Sequence, residues 1–218
     1  MGFDYYKSMA KKLNITMKLG KEVTAQEVLA LKPYSILVAT GSNVISIPLE
    51  GLDQVQTVQA HDVLVNDMQF ANKKVVVIGG GITGLETALY INRQGTNQVS
   101  VVDMLPEWPV DMLDMRYQNE ALLEVRHCND QGVALFYNNK VVKFADGKLF
   151  IESTKDGEVK ELPADVIVLS VGVKPNDALW QELLASGHPS VWKAGDAIAT
   201  GKINKAVLHG SKFGYSLS

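Results

Sequence analysis

Val75-Val76-Val77-Ile78-Gly79-Gly80-Gly81-Ile82-Thr83-Gly84 is the stretch that decides the fold. An apolar run with the composition of a buried strand ends in a glycine turn, and a helical pattern opens directly after it. Gly79, Gly81 and Gly84 give the spacing G-x-G-x-x-G. At such a turn glycine permits a tight reversal, close approach of main chain to a diphosphate, and close helix–sheet packing. The helix then points its first N–H groups at the phosphates. A second strand-like run, Val99-Ser100-Val101-Val102, ends in Asp103, nineteen residues after Gly84. This is close to the roughly 20-residue separation at which an acid takes ribose hydroxyls. The glycine pattern alone is a weak signal. A strand before it, a helix after it and an acid at this distance make it a strong one.

These features point to NAD. Gly79, Gly81, Ile82, Thr83 and Gly84 are the candidate diphosphate positions, and Asp103 is the candidate ribose acid. A ribose 2′-phosphate would be repelled by that carboxylate, and Met104 to Glu107 contain no Arg or Lys to offset it. NADH is therefore expected in preference to NADPH. The bland alternative is an α/β turn that merely needs glycine, followed by a solvated strand-end acid.

The 218 residues are enough for one large or two small domains. A net charge of −3 gives no electrostatic reason to bind nucleic acid or an anionic membrane. The apolar runs fall far short of the roughly 18 residues that suggest a membrane span. Met1 to Tyr6 has neither a basic region nor an apolar core, so no signal peptide is expected and the cytoplasm is the expected location. Cys128 is the single cysteine, so this chain holds no internal disulfide, C-x-x-C pair or thiolate-held cluster. It follows His127, but the simpler reading is a packed helix-end thiol. His61, His127, His188 and His209 lack metal-ligand spacing, and no metal site is expected. Trp108, Trp180 and Trp192 read as packing residues.

Along the chain, Phe3–Leu13 reads as a helix, Ile15–Leu19 as a short strand, and Thr24 to Glu27 as a capping box opening a helix that Pro33 ends. Tyr34–Ala39 is a buried strand. Asn43–Asp53 looks like a linker, and His61–Asn66 a short helix. After the glycine unit, a helix is expected over Asp114–Asn129. Four strand-like runs, beginning at Val133, Val141, Leu149 and Val159, then read as a β-meander, with type I′ turns at Asp146-Gly147 and Asp156-Gly157. Ala164–Val171 is another buried strand. A helix over Asp177–Ala185 and a short strand over Ser190–Lys193 follow. The middle is complete in itself, whereas neither end makes a domain alone. The simplest account joins both ends into one second domain.

Ala39-Thr40-Gly41, the glycine fingerprint, Val171-Gly172-Val173-Lys174-Pro175-Asn176 and Ala194-Gly195-Asp196-Ala197 together resemble the two-dinucleotide-binding-domain flavoprotein oxidoreductases. Within them the chain resembles the C-terminal FAD/NAD(P)-binding region of NADH:flavin oxidoreductases of the NADH oxidase, dienoyl-CoA reductase and enoate reductase type. Lys73 to Gly81 and Asp103-Met104-Leu105-Pro106 carry the subgroup's flavour. The resemblance covers nearly the whole chain. It implies an α/β fold in which a Rossmann-like NAD(P)-binding domain with a β-meander, residues 49–174, is inserted in a partial FAD-binding α/β domain, residues 1–48 and 175–218. The opening strand and glycine loop of that FAD domain are not present, so a truncated product is expected.

The resemblance further implies that Thr40, Gly41, Gly195 and Asp196 descend from an FAD site. Glu86, by likeness to disulfide-reductase relatives, would lie near the nicotinamide end of the NAD site, and Gly172, with Pro175-Asn176, beside the NAD site and the domain crossover. Each has a bland counterpart: a strand-end turn, or an acid placed for a helix dipole. FAD is implied for the full-length protein and is expected to be absent from this chain or weakly held. FMN and an iron–sulfur cluster are implied upstream, with an N-terminal barrel of the same protein as partner. The expected function is an electron-input module passing hydride from NADH to FAD. A non-catalytic or inactive nucleotide-binding module, and a fragment of a pyridine nucleotide-disulfide reductase, remain open. Hydride transfer between cofactors needs no side-chain acid or base, so no catalytic residue is named.

Overall fold

The computed structural model describes residues 2–106 and 115–217. It divides into two compact units, Met1–Ser42 with Pro175–Ser218, and Asn43–Lys174. The outer unit begins with α1 (Gly2–Lys12), α2 (Ala25–Ala30) and β1 (Ile36–Val38). The Thr24 hydroxyl accepts the Glu27 amide at 3.3 Å, and the Glu27 carboxylate accepts the Thr24 amide at 3.1 Å. This reciprocal box satisfies two donors that the start of α2 would otherwise leave open. Ile15–Leu19 is not a strand. No described strand pairs with it, and Ile15, Met17 and Leu19 are all exposed. Alternating apolar residues without a ladder partner do not make a strand, because the backbone groups must be satisfied elsewhere.

The central unit runs β2 (Ser42–Val44), β3 (Gln56–Gln59), α3 (Ala60–Val65), β4 (Lys74–Ile78), α4 (Ile82–Asn92), β5 (Gln98–Val102), α5 (Met115–Asp130) and β6 (Ala134–Phe136). It continues through β7 (Asn139–Ala145), β8 (Lys148–Ser153), β9 (Val159–Pro163), β10 (Val166–Leu169) and β11 (Val173–Pro175). The chain then completes the outer unit with α6 (Ala178–Ala185), β12 (Val191–Lys193) and α7 (Ile203–Ser216). In that unit β1 and β12 pair in parallel over a small core of Ile36, Val38 and Leu183.

The main sheet has the order β3-β10-β4-β5-β6, and every pairing in it is parallel. Its middle strands are buried on both faces, as parallel sheets require. Val75 and Val77 pack with α3, α4 and α5 through Val63, Leu85, Ala88, Ile91 and Val125. Val76 and Ile78 point the other way, into a second core with Phe144, Leu149 and Ile151 of the meander. The period-2 alternation of one apolar run thus joins two cores.

Three expectations are corrected here. The strand beginning at Val133 leaves the meander: β6 pairs with β5 at the edge of the parallel sheet, and β7, β8 and β9 alone form the antiparallel ribbon. Asp146 and Gly147 both adopt positive φ, 52° and 74°, as a type I′ turn demands. Asp156 does not; Gly157 alone is left-handed there, with its amide on the Ser153 carbonyl, because five residues separate the strands rather than two. The Asn43–Asp53 linker is built into the central unit. Its β2 pairs with β11, and Ile47, Leu49 and Leu52 pack in the meander core. A Cβ at Gly51 would stand 1.9 Å from the Phe144 carbonyl oxygen, so that close approach requires glycine. Asp114 and Trp108 lie outside the described residues, and among those described no helix is long and apolar enough to cross a membrane.

Cys128 is fully buried, with its Sγ 3.9 Å from the Leu85 carbonyl. Burial, reinforced by Glu124, pushes its thiol up to about 11. His127 turns to Glu124 at 3.9 Å. The native chain should therefore leave an aromatic disulfide reagent unreacted at pH 8, and release one thiol equivalent after denaturation. Rapid labelling of the native chain would contradict this packing.

Candidate functional site

The glycine turn is fixed from both sides. The Gly79 amide donates to the Val102 carbonyl at 2.8 Å, and the Ser170 amide donates to the Ile78 carbonyl at 2.8 Å. Gly79 has φ 110°, and a Cβ there would lie 2.3 Å from the Ser170 carbonyl oxygen. At Gly84 a Cβ would lie 2.0 Å from the Gly79 carbonyl oxygen. Gly81 differs. Its φ of −70° suits any residue, and a Cβ there would meet nothing within 4 Å. Packing accounts for glycine at 79 and 84. It does not account for glycine at 81, where the missing side chain leaves open space beside the helix.

That space adjoins the start of α4. Gly81 caps this helix without any side-chain hydrogen bond, and its first turn carries no acid. The amides of Ile82, Thr83 and Gly84 therefore present a partial positive charge that no side chain of the cap offsets. Asp103 lies at the same turn. Its Oδ2 accepts the Gly80 amide at 2.6 Å, and its Oδ1 accepts the Leu105 amide at 2.8 Å. Two main-chain donors hold this carboxylate in place, and each oxygen keeps lone-pair capacity for a further donor.

A cavity of about 440 Å³ opens at the carboxyl ends of β4, β5 and β10. Chain order reverses here, since β4 leads to β5 on one side while β10 lies on the other. Open α/β sheets bind ligands at such a switch point. Gly79 and Asp103 line the cavity, together with residues the sequence reading missed: Ile47, Asn139, Lys140 and Val171. Lys140 stands opposite Glu152 across β7 and β8, and the two pair at 2.9 Å. Met104 to Glu107, which follow Asp103 in sequence, supply no cation. The meander brings Lys140 in from a distance, and no local signal marks it.

Glu86 is the fifth residue of α4, past its first turn, so it is not placed to offset the helix dipole there. It is exposed and shares a shallow depression with Asp67, Tyr90 and Arg93, apart from the residues lining the cavity. Gly172 has φ 92° and is exposed, its carbonyl accepting the Ile45 amide at 3.1 Å. Its neighbours Ser170 and Val171 line the cavity, while Gly172 does not.

In the outer unit, Thr40 and Gly41 follow β1, and Gly195 and Asp196 follow β12. The Thr40 hydroxyl donates to the Asn176 carbonyl, and the Gly41 carbonyl accepts the Asn176 amide at 2.9 Å. The Gly195 amide donates to His209 Nδ1 at 3.2 Å. Asp196 accepts the Gly201 amide at 3.1 Å and the Ser42 hydroxyl at 3.5 Å. The neighbouring β1–β12 pair brings these polar groups to one end of a two-stranded sheet. Among the described residues, that unit has no glycine-rich strand-to-helix turn.

The sequence pattern of the pyridine nucleotide-disulphide oxidoreductases matches residues 4–210. Among characterised proteins, the chain is 33% identical over 172 residues to a bilirubin reductase of Mediterraneibacter gnavus, covering 79% of this chain and 26% of that protein. It is 28% identical over 222 residues to an NADH oxidase of Thermoanaerobacter brockii, covering 98% of this chain and 32% of that one. A solved 2-naphthoyl-CoA reductase superposes with a TM-score of 0.80 at 27% identity, over 96% of this chain and 31% of its own. The chain thus spans between a quarter and a third of the length of these relatives.

The two glycines can be separated by stability. Gly84→Ala should lower the unfolding free energy by about 1–3 kcal/mol or more, as overpacking does. Gly81→Ala should change it by less than about 0.5 kcal/mol. Urea denaturation midpoints measure both, and an equal loss at the two positions would contradict the division of roles.

Proposed function

This chain belongs to the pyridine nucleotide-disulphide oxidoreductase family, and from that premise we propose that its central unit is the NADH-binding, electron-input module of a flavin-dependent oxidoreductase. When bound, NADH supplies a hydride, and FAD in the full-length protein accepts it. The reading rests on one observation above the rest: open space at Gly81, beside an uncapped helix start, within the turn that holds Asp103.

Each residue has a task in this reading. The amides of Ile82 and Thr83 take the diphosphate, with Gly81 admitting its approach and Gly79 and Gly84 setting the turn. Asp103 accepts the hydroxyls of the adenosine ribose. Its charge disfavours a 2′-phosphate, and Glu152 keeps Lys140 from serving as a counter-charge. Gly172 follows Ser170 and Val171, which line the cavity beyond the end of β10. Thr40, Gly41, Gly195 and Asp196 belong to the FAD side, and the residues completing that side lie elsewhere in the full-length protein. The greater length of the relatives supports placing the onward electron acceptor outside these residues. A paired-thiol route finds no support within this sequence, whose one cysteine is buried and held as a thiol. The chain's own work is positional and electrostatic, and no side chain needs to move a proton.

Calorimetric titration tests the reading. NADH should bind at least tenfold more tightly than NADPH, and Asp103→Asn should shrink that ratio by about tenfold, the equivalent of 1.4 kcal/mol. Failure of NADH to bind, or NADPH binding as tightly in the unmodified chain, would sink it.

A further inference from the structure

Two charged residues stand in the wall of the cavity, Asp103 and Lys140. They are held differently. The Gly80 and Leu105 amides fix Asp103 at 2.6 Å and 2.8 Å, and it offers a ligand only negative charge. The Lys140 ammonium pairs at 2.9 Å with Glu152, which stands directly opposite across β7 and β8. Both side chains of this pair reach solvent, 49% and 32% exposed, and Glu152 is not among the residues that line the cavity. Asn139 and Val141 flank Lys140 in the wall, so β7 fixes its main chain there. Its flexible four-carbon stem leaves the ammonium free to turn whenever Glu152 does not hold it.

We propose that Glu152 is a positioning residue for cofactor choice and that Lys140 is a latent 2′-phosphate ligand, which Glu152 withholds from the cavity. The inference rests on the reading of the cavity as an NADH site and adds a second determinant of preference to Asp103. The two determinants act by different physics. Asp103 repels a 2′-phosphate, and removing its charge ends a repulsion without supplying an attraction. Only a cation supplies one, and Lys140 is the cation among the lining residues. The pair is a setting rather than a fixture. An ion pair this exposed is worth at most about a fivefold change in an equilibrium. A ribose 2′-hydroxyl carries no charge to compete for the ammonium, so with NADH the pair stays closed. Glutamine at 152 would keep the shape of the side chain and give up the charge that holds Lys140. No spacing rule links Lys140 to Glu152 in the sequence, because the register of two antiparallel strands makes the contact.

The test is calorimetric titration of the full chain with NADH and with NADPH, the weaker ligand being measured by displacement. Hydride transfer is not required. Glu152→Gln should raise the affinity for NADPH relative to NADH about fivefold. The gain should shrink as salt is raised to about 1 M, since it comes from exposed charges. Lys140→Met in the Glu152→Gln background should cancel it. A Glu152→Gln variant whose ratio of affinities stays where it was overturns the proposal. So does one whose two affinities move together, as a structural role would make them. A gain that survives Lys140→Met overturns it too, because Glu152 would then act by its own charge. Should Glu152→Gln fail to fold, Glu152→Ser replaces it with the same criteria. NADH that does not bind the unmodified chain at all defeats the parent reading. NADH that binds, with a cofactor ratio indifferent to position 152, defeats the role of Glu152 alone.

Discussion

The whole central unit turns on one close approach of main chain to main chain. The carbonyl of Gly79 lies where a Cβ on Gly84 would have to stand, 2.0 Å away. Helix α4 can therefore rest its first turn directly on the end of β4. That contact brings its N-terminus over the carboxyl edge of the sheet, where the strand order reverses. It also brings the Gly80 amide within 2.6 Å of Asp103, so the turn and the acid are set by the same geometry. A side chain at Gly84 would press on the Gly79 carbonyl and lift the helix from the end of β4, and one at Gly79 would press on the main chain of Ser170.

This explains which parts of the molecule could be read in advance. β4, β5 and β10 are continuous apolar runs because both faces are covered, and such runs announce themselves. The Thr24 box and the Asp146-Gly147 turn are local, with all the forces that form them inside a few residues. Other features depend on pairing across long sequence distances. Ile15–Leu19 has strand composition but no described partner, while β6 joins a sheet edge instead of the adjacent ribbon. The Asn43–Asp53 segment has linker composition, yet Gly51 lets it run against Phe144.

The site divides along the same line. The glycines and Asp103 follow a spacing rule that one strand, one turn and one helix enforce. Asn139 and Lys140 reach the cavity only because the meander folds back over the sheet. Their neighbours in sequence say nothing of Asp103, so no local pattern could mark them. Glu86 lies on an exposed face of α4 beside Tyr90 and Arg93, apart from the residues that line the cavity. Likeness to longer relatives extends over both units, whereas the outer unit's own core is small.

The most direct measurement is a crystal structure of the chain with NADH bound. The account predicts the diphosphate within hydrogen-bond reach of the amides that open α4, passing over Gly81, with a ribose hydroxyl on the Asp103 carboxylate. A diphosphate seated anywhere else, or a ribose out of reach of Asp103, would contradict it.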